Sequence, residues 1–523
     1  MAINNMMLNK LIVATFVLVA SANVLAFSSK VPNNAELSNN TKQPNIIFVF
    51  SDDQRYNSLS MTGDPVTKTP NLDALAKEGV FFNQAFITSP ICGPSRANIF
   101  TAQWERKNRI GFNRLSNNMV SSDSFNKSWL MQLKIAGYST AFIGKAHTKI
   151  GNKRDTVLPE NIDFAYYRQG HIGFYLDNKK KPQFSNLVNK TQIEGFFEAT
   201  KAYLSQDSEY DYFYKNAHSS VKNSITKRDP NKPFAAWINF NLPHASSIGG
   251  MGSRDSDPAH YRSLYSEDDM QLPEGYPIKV SLPEAVFSSA DLMKYYNVSN
   301  PKKLKQKKLS MSRAVYSIDK FMGDLRAYLT SIGEADNTII VFSSDNGLLL
   351  GEHGLGGKSI LYDENVHVPL IVYSPHFDNK VKGQQISELV VGQDIPASIL
   401  DLAGLKVPET YQGKSVIPLI EGKDVEWRKE VFLENLFTEQ GYPRQEGLRT
   451  QDYKYIRSFS KTNDRAKYLP NQSVETNEAP IYEELFHIAN DASESNNLAT
   501  QAEYKAVLEH MRAKTTKTLQ SLL

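Results

Sequence analysis

Apolar residues in this chain come in short unbroken runs bounded by polar or turn-forming residues. PNIIFVF (44–50) reads as a buried parallel strand, and YSTAFIGK (138–145), PFAAWINFNLPH (233–244), NTIIVFSSDNG (337–347) and VPLIVYSP (368–375) read as further strands. Between them lie helical patterns. TPNLDALAKEGV (69–80) places Thr69 as a cap and Pro70 in the first turn, and DIPASILDLAGL (394–405) ends at Gly404. Ile318, Phe321, Met322, Leu325 and Leu329 fall on one face of a third helix, just before the fourth strand. Strands alternating with helices predict an α/β fold with a large, mostly parallel sheet flanked by helices.

The pattern changes near Glu426. EVFLENL (430–436), EGLRTQDYKYIRSFS (446–460) and EELFHI (483–488) read as antiparallel strands, followed by a helix from about Gln501. This predicts a smaller C-terminal α+β subdomain over 426–523, behind a larger domain over 43–425. Two long stretches interrupt the larger domain. Residues 151–230 are rich in aromatic and basic residues, including Lys179, Lys180 and Lys181, and residues 246–310 end in the basic run PKKLKQKKLS. Loops of that length inside a domain are usually functional. The lysines of the run (Lys302, Lys303, Lys305, Lys307 and Lys308) are expected to form a solvated helix face.

Composition narrows the classes. The 59 Lys and Arg against 56 Asp and Glu leave a net charge of only +3 on 523 residues, and no nucleic-acid motif is present, so a polyanion-coating protein is disfavoured. Lys10 precedes LIVATFVLVASA (11–22), and small residues follow. That layout predicts a signal peptide over 1–26, a polar linker over 27–42, and export to the periplasm or the medium. The apolar run falls short of the roughly 20 residues that span a bilayer, so no membrane anchor is expected. Export permits disulfides, yet the chain holds one cysteine, Cys92. A leftover cysteine is either a reactive group or a buried bystander.

Chemistry gathers where the parallel strands end, the usual location of sites in open α/β sheets. Asp52 and Asp53 end the first strand, Lys145 and His147 the second, and His244 the third. Asp345 and Asn346 end the fourth, with Lys358 close behind. Three carboxylates brought that close repel one another by about 1–4 kcal/mol per pair. A hard divalent cation relieves the conflict, with calcium the first choice and magnesium the second. In CGPSR (92–96), Pro94 marks a first helical turn, so Cys92 stands at a helix N-terminus, where amides and Arg96 favour an anion.

These residues carry a resemblance. CGPSR is similar to the Cys-x-Pro-Ser-Arg signature of type I sulfatases in the alkaline phosphatase superfamily. PNIIFVFSDDQ, GYSTAFIGKAH, LPH, SSDNG, GEHG and the late EELFHIANDASESNNLA extend it from about Gln43 to the C-terminus. The chain resembles bacterial polysaccharide sulfatases in particular. Two positions depart from the family pattern, FTAQ (100–103) for Leu-Thr-Gly and His367 for a common arginine; both bear on substrate class, and neither removes a catalytic group.

The resemblance implies an alkaline phosphatase-like fold and a sulfuric ester hydrolase. It implies that a formylglycine-generating enzyme oxidises Cys92 to Cα-formylglycine, whose hydrate is the nucleophile. Asp52, Asp53, Asp345, Asn346 and modified Cys92 are then expected to hold one calcium ion. Arg96, Lys145 and His147 are expected around the hydrate, with His244 and Lys358 on the sulfate. His244 is the expected acid for the leaving alcohol, and His147 the base that expels sulfate. The expected substrate is a sulfated polysaccharide or its oligosaccharides, with glycosaminoglycans such as chondroitin or dermatan sulfate and algal carrageenan or ulvan all compatible. The alternatives are a phosphodiesterase or phosphonate monoester hydrolase of the same superfamily, and a non-catalytic binder of sulfated glycans.

Overall fold

The computed structural model describes residues 42–523 except 113–115, 117–118, 151–156, 177–181, 188–189, 288–289 and 460–467. The expected signal peptide, nearly all of the linker, and Lys179, Lys180 and Lys181 lie outside the described residues. Gln43–Leu523 forms one unit.

Its frame is an eight-stranded sheet. The strands are β1 (Asn45–Asp52), β2 (Val80–Phe82), β3 (Ser139–Lys145), β4 (Phe164–Arg168), β5 (Phe234–Pro243), β6 (Thr338–Ser344), β7 (Leu370–Tyr373) and β8 (Gln384–Ile386). They lie side by side in the order β8-β2-β7-β6-β1-β5-β3-β4. Only β7 runs antiparallel to its neighbours, so the sheet is mostly parallel with one reversed strand. Successive residues of β1 serve opposite faces. Ile47 and Val49 join one core, and Ile46, Phe48 and Phe50 the other, where Phe48 stacks on Trp237 at 5.6 Å. Burial on both faces explains why these strands read as continuous apolar runs.

Helices α1 (Pro70–Glu78), α2 (Cys92–Thr101), α3 (Gln192–Leu204), α4 (Ala290–Tyr296), α5 (Pro301–Ser331), α6 (Asp394–Leu402) and α7 (Lys505–Leu522) account for the main helical patterns. Thr69 takes the N-cap position of α1, but its side chain caps no amide; it accepts from Ser60 N and donates to Asp73. Asp319 of α5 performs that task from 248 positions away, accepting from Asn71 N at 2.9 Å and Leu72 N at 2.7 Å.

Helix α5 corrects one expectation. Its apolar stripe begins at Leu304, and the basic run forms its first turns, capped by Asn300. Lys302 and Lys303 are exposed as expected, whereas Lys307 and Lys308 are turned toward protein, over two tyrosine rings and 3.9 Å from Glu352.

The C-terminal strands β9 (Glu430–Asn435), β10 (Gln445–Thr450), β11 (Tyr453–Ser458) and β12 (Tyr482–His487) form an antiparallel meander backed by α7. A buried cation ties this meander to the segment after α2. Arg106 donates to Glu434 at 2.6 Å and lies 3.4 Å from Glu446, with its guanidinium over Phe432 and a further bond to Pro470 O. Removing one partner of a buried pair leaves the others uncompensated, typically at a cost of about 3–5 kcal/mol. Arg106→Met is therefore expected to lower unfolding free energy by about that amount, read as a fall in the urea midpoint. An unchanged midpoint would show that the contact contributes little.

Candidate functional site

The carboxyl ends of β1, β5, β3 and β6 converge on the N-terminus of α2, all ten residues of which are buried. Close packing sets Cys92 there. A Cβ at Gly93 would meet the Phe112 ring at 2.1 Å, so only glycine lets the first turn approach so near. Ile91 supplies the extended residue before the helix. Cys92 Sγ donates to Asp52 Oδ1 at 3.1 Å and accepts from Lys358 Nζ at 2.7 Å.

The carboxylates behave differently from one another. Asp52 is fully buried, which alone would raise its pKa, but Lys145 bonded to it, with His244, Lys358 and Arg96 nearby, holds it well below the carboxylate range. Asn241 Nδ2 also donates to Asp52 at 3.0 Å. Burial pushes Asp53 up to about 7 against the pull of Lys358, with Asp52 and Asp345 adding to the rise. Its Oδ1 accepts from Lys358 and Asn346, both at 2.6 Å. Burial, then Asp52, also raises Asp345, although Arg96 Nε donates to its Oδ2 at 2.8 Å and Asp53 N to its Oδ1 at 3.2 Å. Asp53 sits at φ 66° and His147 at φ 51°, a left-handed strain that clusters at functional sites.

Arg96 is wholly enclosed. Besides Asp345 it donates to Lys145 O and Asn239 Oδ1, each at 3.0 Å. His244 Nδ1 accepts from Ser246 N at 3.1 Å, so in the neutral ring Nε2 carries the proton, 3.7 Å from Asp53 Oδ2. Burial, then Lys358, lowers the pKa of His244; burial, then Lys145, lowers that of His147. Both rings are neutral near pH 7.

The residues expected at the strand ends are thus brought to one place, buried except for the half-buried His147 and Lys358. Asp52, Asp53, Cys92 and His244 offer ligand atoms within 4.8 Å of one another. Two buried oxygens, Asp53 Oδ2 and Asn346 Oδ1, have no hydrogen-bond partner among the described residues. Asp345 Oδ1 keeps a free lone pair beyond its single amide bond. A hard cation fits this donor set.

Three residues escaped the sequence reading. Asn239 and Asn241 alternate on β5, and that two-residue spacing of polar side chains in an apolar strand was the available signal. His171, exposed on the loop after β4, stands with its ring 4.4 Å from His244 and 4.8 Å from His147; no motif marks it. His367, the departure from the family pattern, stacks on Tyr56 at 3.8 Å and bonds Asn83 O, and burial pushes it down to about 4. It packs between Tyr56 and Phe86.

A family model described as Sulfatase matches residues 44–405, and one described as N-sulphoglucosamine sulphohydrolase, C-terminal, matches 351–521. The chain is 28% identical to an N-acetylglucosamine-6-O-sulfatase of Bacteroides thetaiotaomicron, over 89% of this chain and 84% of that protein. It is 27% identical to an ulvan-active sulfatase of Formosa agariphila, over 97% and 86%. A solved structure described as in complex with its substrate D-glucosamine-2-N,6-O-disulfate superposes with a TM-score of 0.66 at 23% identity. It covers 92% of this chain and 98% of that one, a likeness of fold.

Burial first, then Asp345 and Asp52, raises the pKa of Cys92 well above the thiol range. As an unmodified thiol, Cys92 is therefore expected to resist iodoacetamide at pH 8 in the native chain and to react once urea unfolds it, as read by peptide mass spectrometry. Fast alkylation of the native thiol would contradict this.

Proposed function

The chain belongs to the sulfatase family and is a sulfuric ester hydrolase, and from that premise we propose that it desulfates a polysaccharide or its oligosaccharides through a modified Cys92. The observation that carries this reading is the thiol itself, buried between Asp52 and Lys358 at a helix N-terminus and kept protonated. A protonated thiol is a poor nucleophile. Oxidised to formylglycine by a generating enzyme and hydrated by water to a geminal diol, the same position supplies the nucleophilic hydroxyl. The carbohydrate names of its relatives support a sulfated glycan, a glycosaminoglycan or an algal polymer.

The residues divide the work. Asp52, Asp53, Asp345, Asn346 and modified Cys92 would hold calcium, which supplies positive charge beside the sulfate oxygens. Arg96, locked by four acceptors, and Lys145 keep the buried anions at the floor in place. Lys358, bonded to Asp53 and Cys92, is the cation that would contact the sulfate. His244 is the acid for the leaving alcohol oxygen once the bound sulfate anion favours its imidazolium form, in which Nδ1–H donates to Ser246 Oγ at 2.8 Å and Nε2–H is the proton transferred; such general acid help is typically worth 10²–10⁴-fold. His147, held neutral by burial and Lys145, accepts a proton from the nucleophilic position.

Export follows the same reading: residues 1–26 direct the chain to the periplasm or beyond, the catalytic part spans 43–425, and 426–523 is a supporting subdomain. No helix of the described residues is long and apolar enough to cross a membrane.

Protein from a host with the generating enzyme should release sulfate from at least one of a panel of defined sulfated polysaccharides, with an aldehyde residue at position 92 by mass spectrometry. Cys92→Ala should abolish turnover while the chain stays folded. An active preparation carrying only the thiol would overturn the assignment. Faster turnover of an aryl phosphodiester would favour the phosphodiesterase alternative, and binding without any hydrolysis the glycan-binder alternative.

Calcium should also raise thermal stability by mass action, by about 2.7 kcal/mol at a hundredfold excess over Kd. Chelation should lower Tm and activity together, and Asp53→Asn should blunt both effects. Full activity in protein shown to be metal-free would refute the metal's role.

A further inference from the structure

Residues 295–308 join two tyrosines to the basic run. Neighbouring residues on a helix point about 100° apart, so Tyr295 and Tyr296 at the end of α4 cannot share one environment. Tyr296 is 4% exposed and Tyr295 51%. Tyr296 packs on the two residues that precede Lys358. A Cβ at Gly356 would lie 2.5 Å from Tyr296 Cβ, and one at Gly357 3.1 Å from the Tyr296 ring. Lys358 in turn reaches Asp53 and Cys92. The buried ring therefore anchors α4 to the segment that delivers Lys358, and the exposed ring of Tyr295 stands beside it at 5.0 Å.

Lys307, in the second turn of α5, lies over both rings, its Nζ 4.8 Å from each centroid. It donates to Tyr295 O at 3.1 Å, which uses one of three donors. No carboxylate of the described residues lies within 4.0 Å of it. Burial pushes its pKa down to about 8. Two other lysines of α5 find acids: Lys308 lies 3.9 Å from Glu352, and Lys320 pairs with Asp324. Lys307 is thus a half-buried cation with spare donors, held against the ring of Tyr295, which itself lies within electrostatic range of Asp53 and Lys358.

We propose that Tyr295 and Lys307 form a subsite for the sugar adjoining the sulfated one, with the sugar face on the Tyr295 ring and an anionic substituent on the Lys307 ammonium. It rests on the sulfatase reading above and deepens it. Tyrosine presents a rigid apolar face with a polar tip, suited to a pyranose. The spare donors of Lys307 require oxygen acceptors, and a carboxylate or a second sulfate supplies them with charge. The adjoining sugar is therefore a uronate or a second sulfated residue, whose shared chemistry is the anionic oxygen.

The test uses two sulfated disaccharides that differ only in whether the adjoining sugar carries a carboxylate, and a third in which it carries a second sulfate. With mature wild-type protein, KM for the acidic pair should be about tenfold lower than for the neutral one, and the difference should shrink at 0.5 M salt. Lys307→Gln should erase that difference, and Lys307→Arg should restore it. Tyr295→Ala should raise KM for all three disaccharides at least fivefold, with Tyr295→Phe near wild type, and the Tm of each variant excludes unfolding as the cause. Equal KM for neutral and acidic substrates in wild type, or an acidic preference that survives Lys307→Gln, overturns the subsite. A preference for the second sulfate alone assigns the anion as sulfate and supports it. Absence of sulfate release from any ester, aryl sulfate included, is a different failure and overturns the sulfatase reading with it.

Discussion

Three carboxylates are forced into one dry spot because the strands that carry them are neighbours and end at the same level. Asp52 and Asp53 close β1, and Asp345 follows β6, which pairs with β1 residue for residue from Asn45 to Ser51. Like charges at about 4 Å repel by roughly 1–4 kcal/mol per pair, and desolvation adds to that. Most of the surrounding structure answers this constraint. Arg96, Lys145 and Lys358 bring three cations from α2, β3 and the loop after β6, and each bonds a different carboxylate. The balance is incomplete: Asp53 is left near 7 with one oxygen unpartnered among the described residues, where a divalent ion would complete it.

That charge arrangement also governs the titrating groups around it. The cations that hold Asp52 low are the ones that, with burial, keep His147 and His244 neutral. The same carboxylates that need the cations raise the Cys92 thiol. Ionisation of the cysteine in such a site would add further negative charge beside the carboxylates.

The stretches that the strand pattern left unexplained bring His171 beside His147 and His244, and Tyr295 within electrostatic range of Asp53 and Lys358. Loops commonly carry recognition while the strand ends beneath them carry chemistry. The C-terminal meander belongs to the scaffold, tied in through Arg106 and its two buried glutamates.

The sequence by itself determined five of the eight strands of the main sheet, the second sheet and the charged residues at the strand ends, whereas the short β2 and β8 and the edge strand β4 carry no such apolar run. Those properties are local: a strand buried on both faces must be apolar throughout, and polar residues at its end then stand out. The CGPSR motif likewise marks its own helix start. What only the tertiary structure decided are contacts between distant segments. Asp319 rather than Thr69 caps α1, because a buried carboxylate on a neighbouring helix reaches the free amides first. Strand β7 runs antiparallel, which its composition does not encode. Lys307 and Lys308 turn inward although their run reads as a solvated face, since the direction of a lysine depends on what packs beside its helix. His171 joins His147 and His244 because β4 lies at the sheet edge beside β3, a neighbour relation set by strand order.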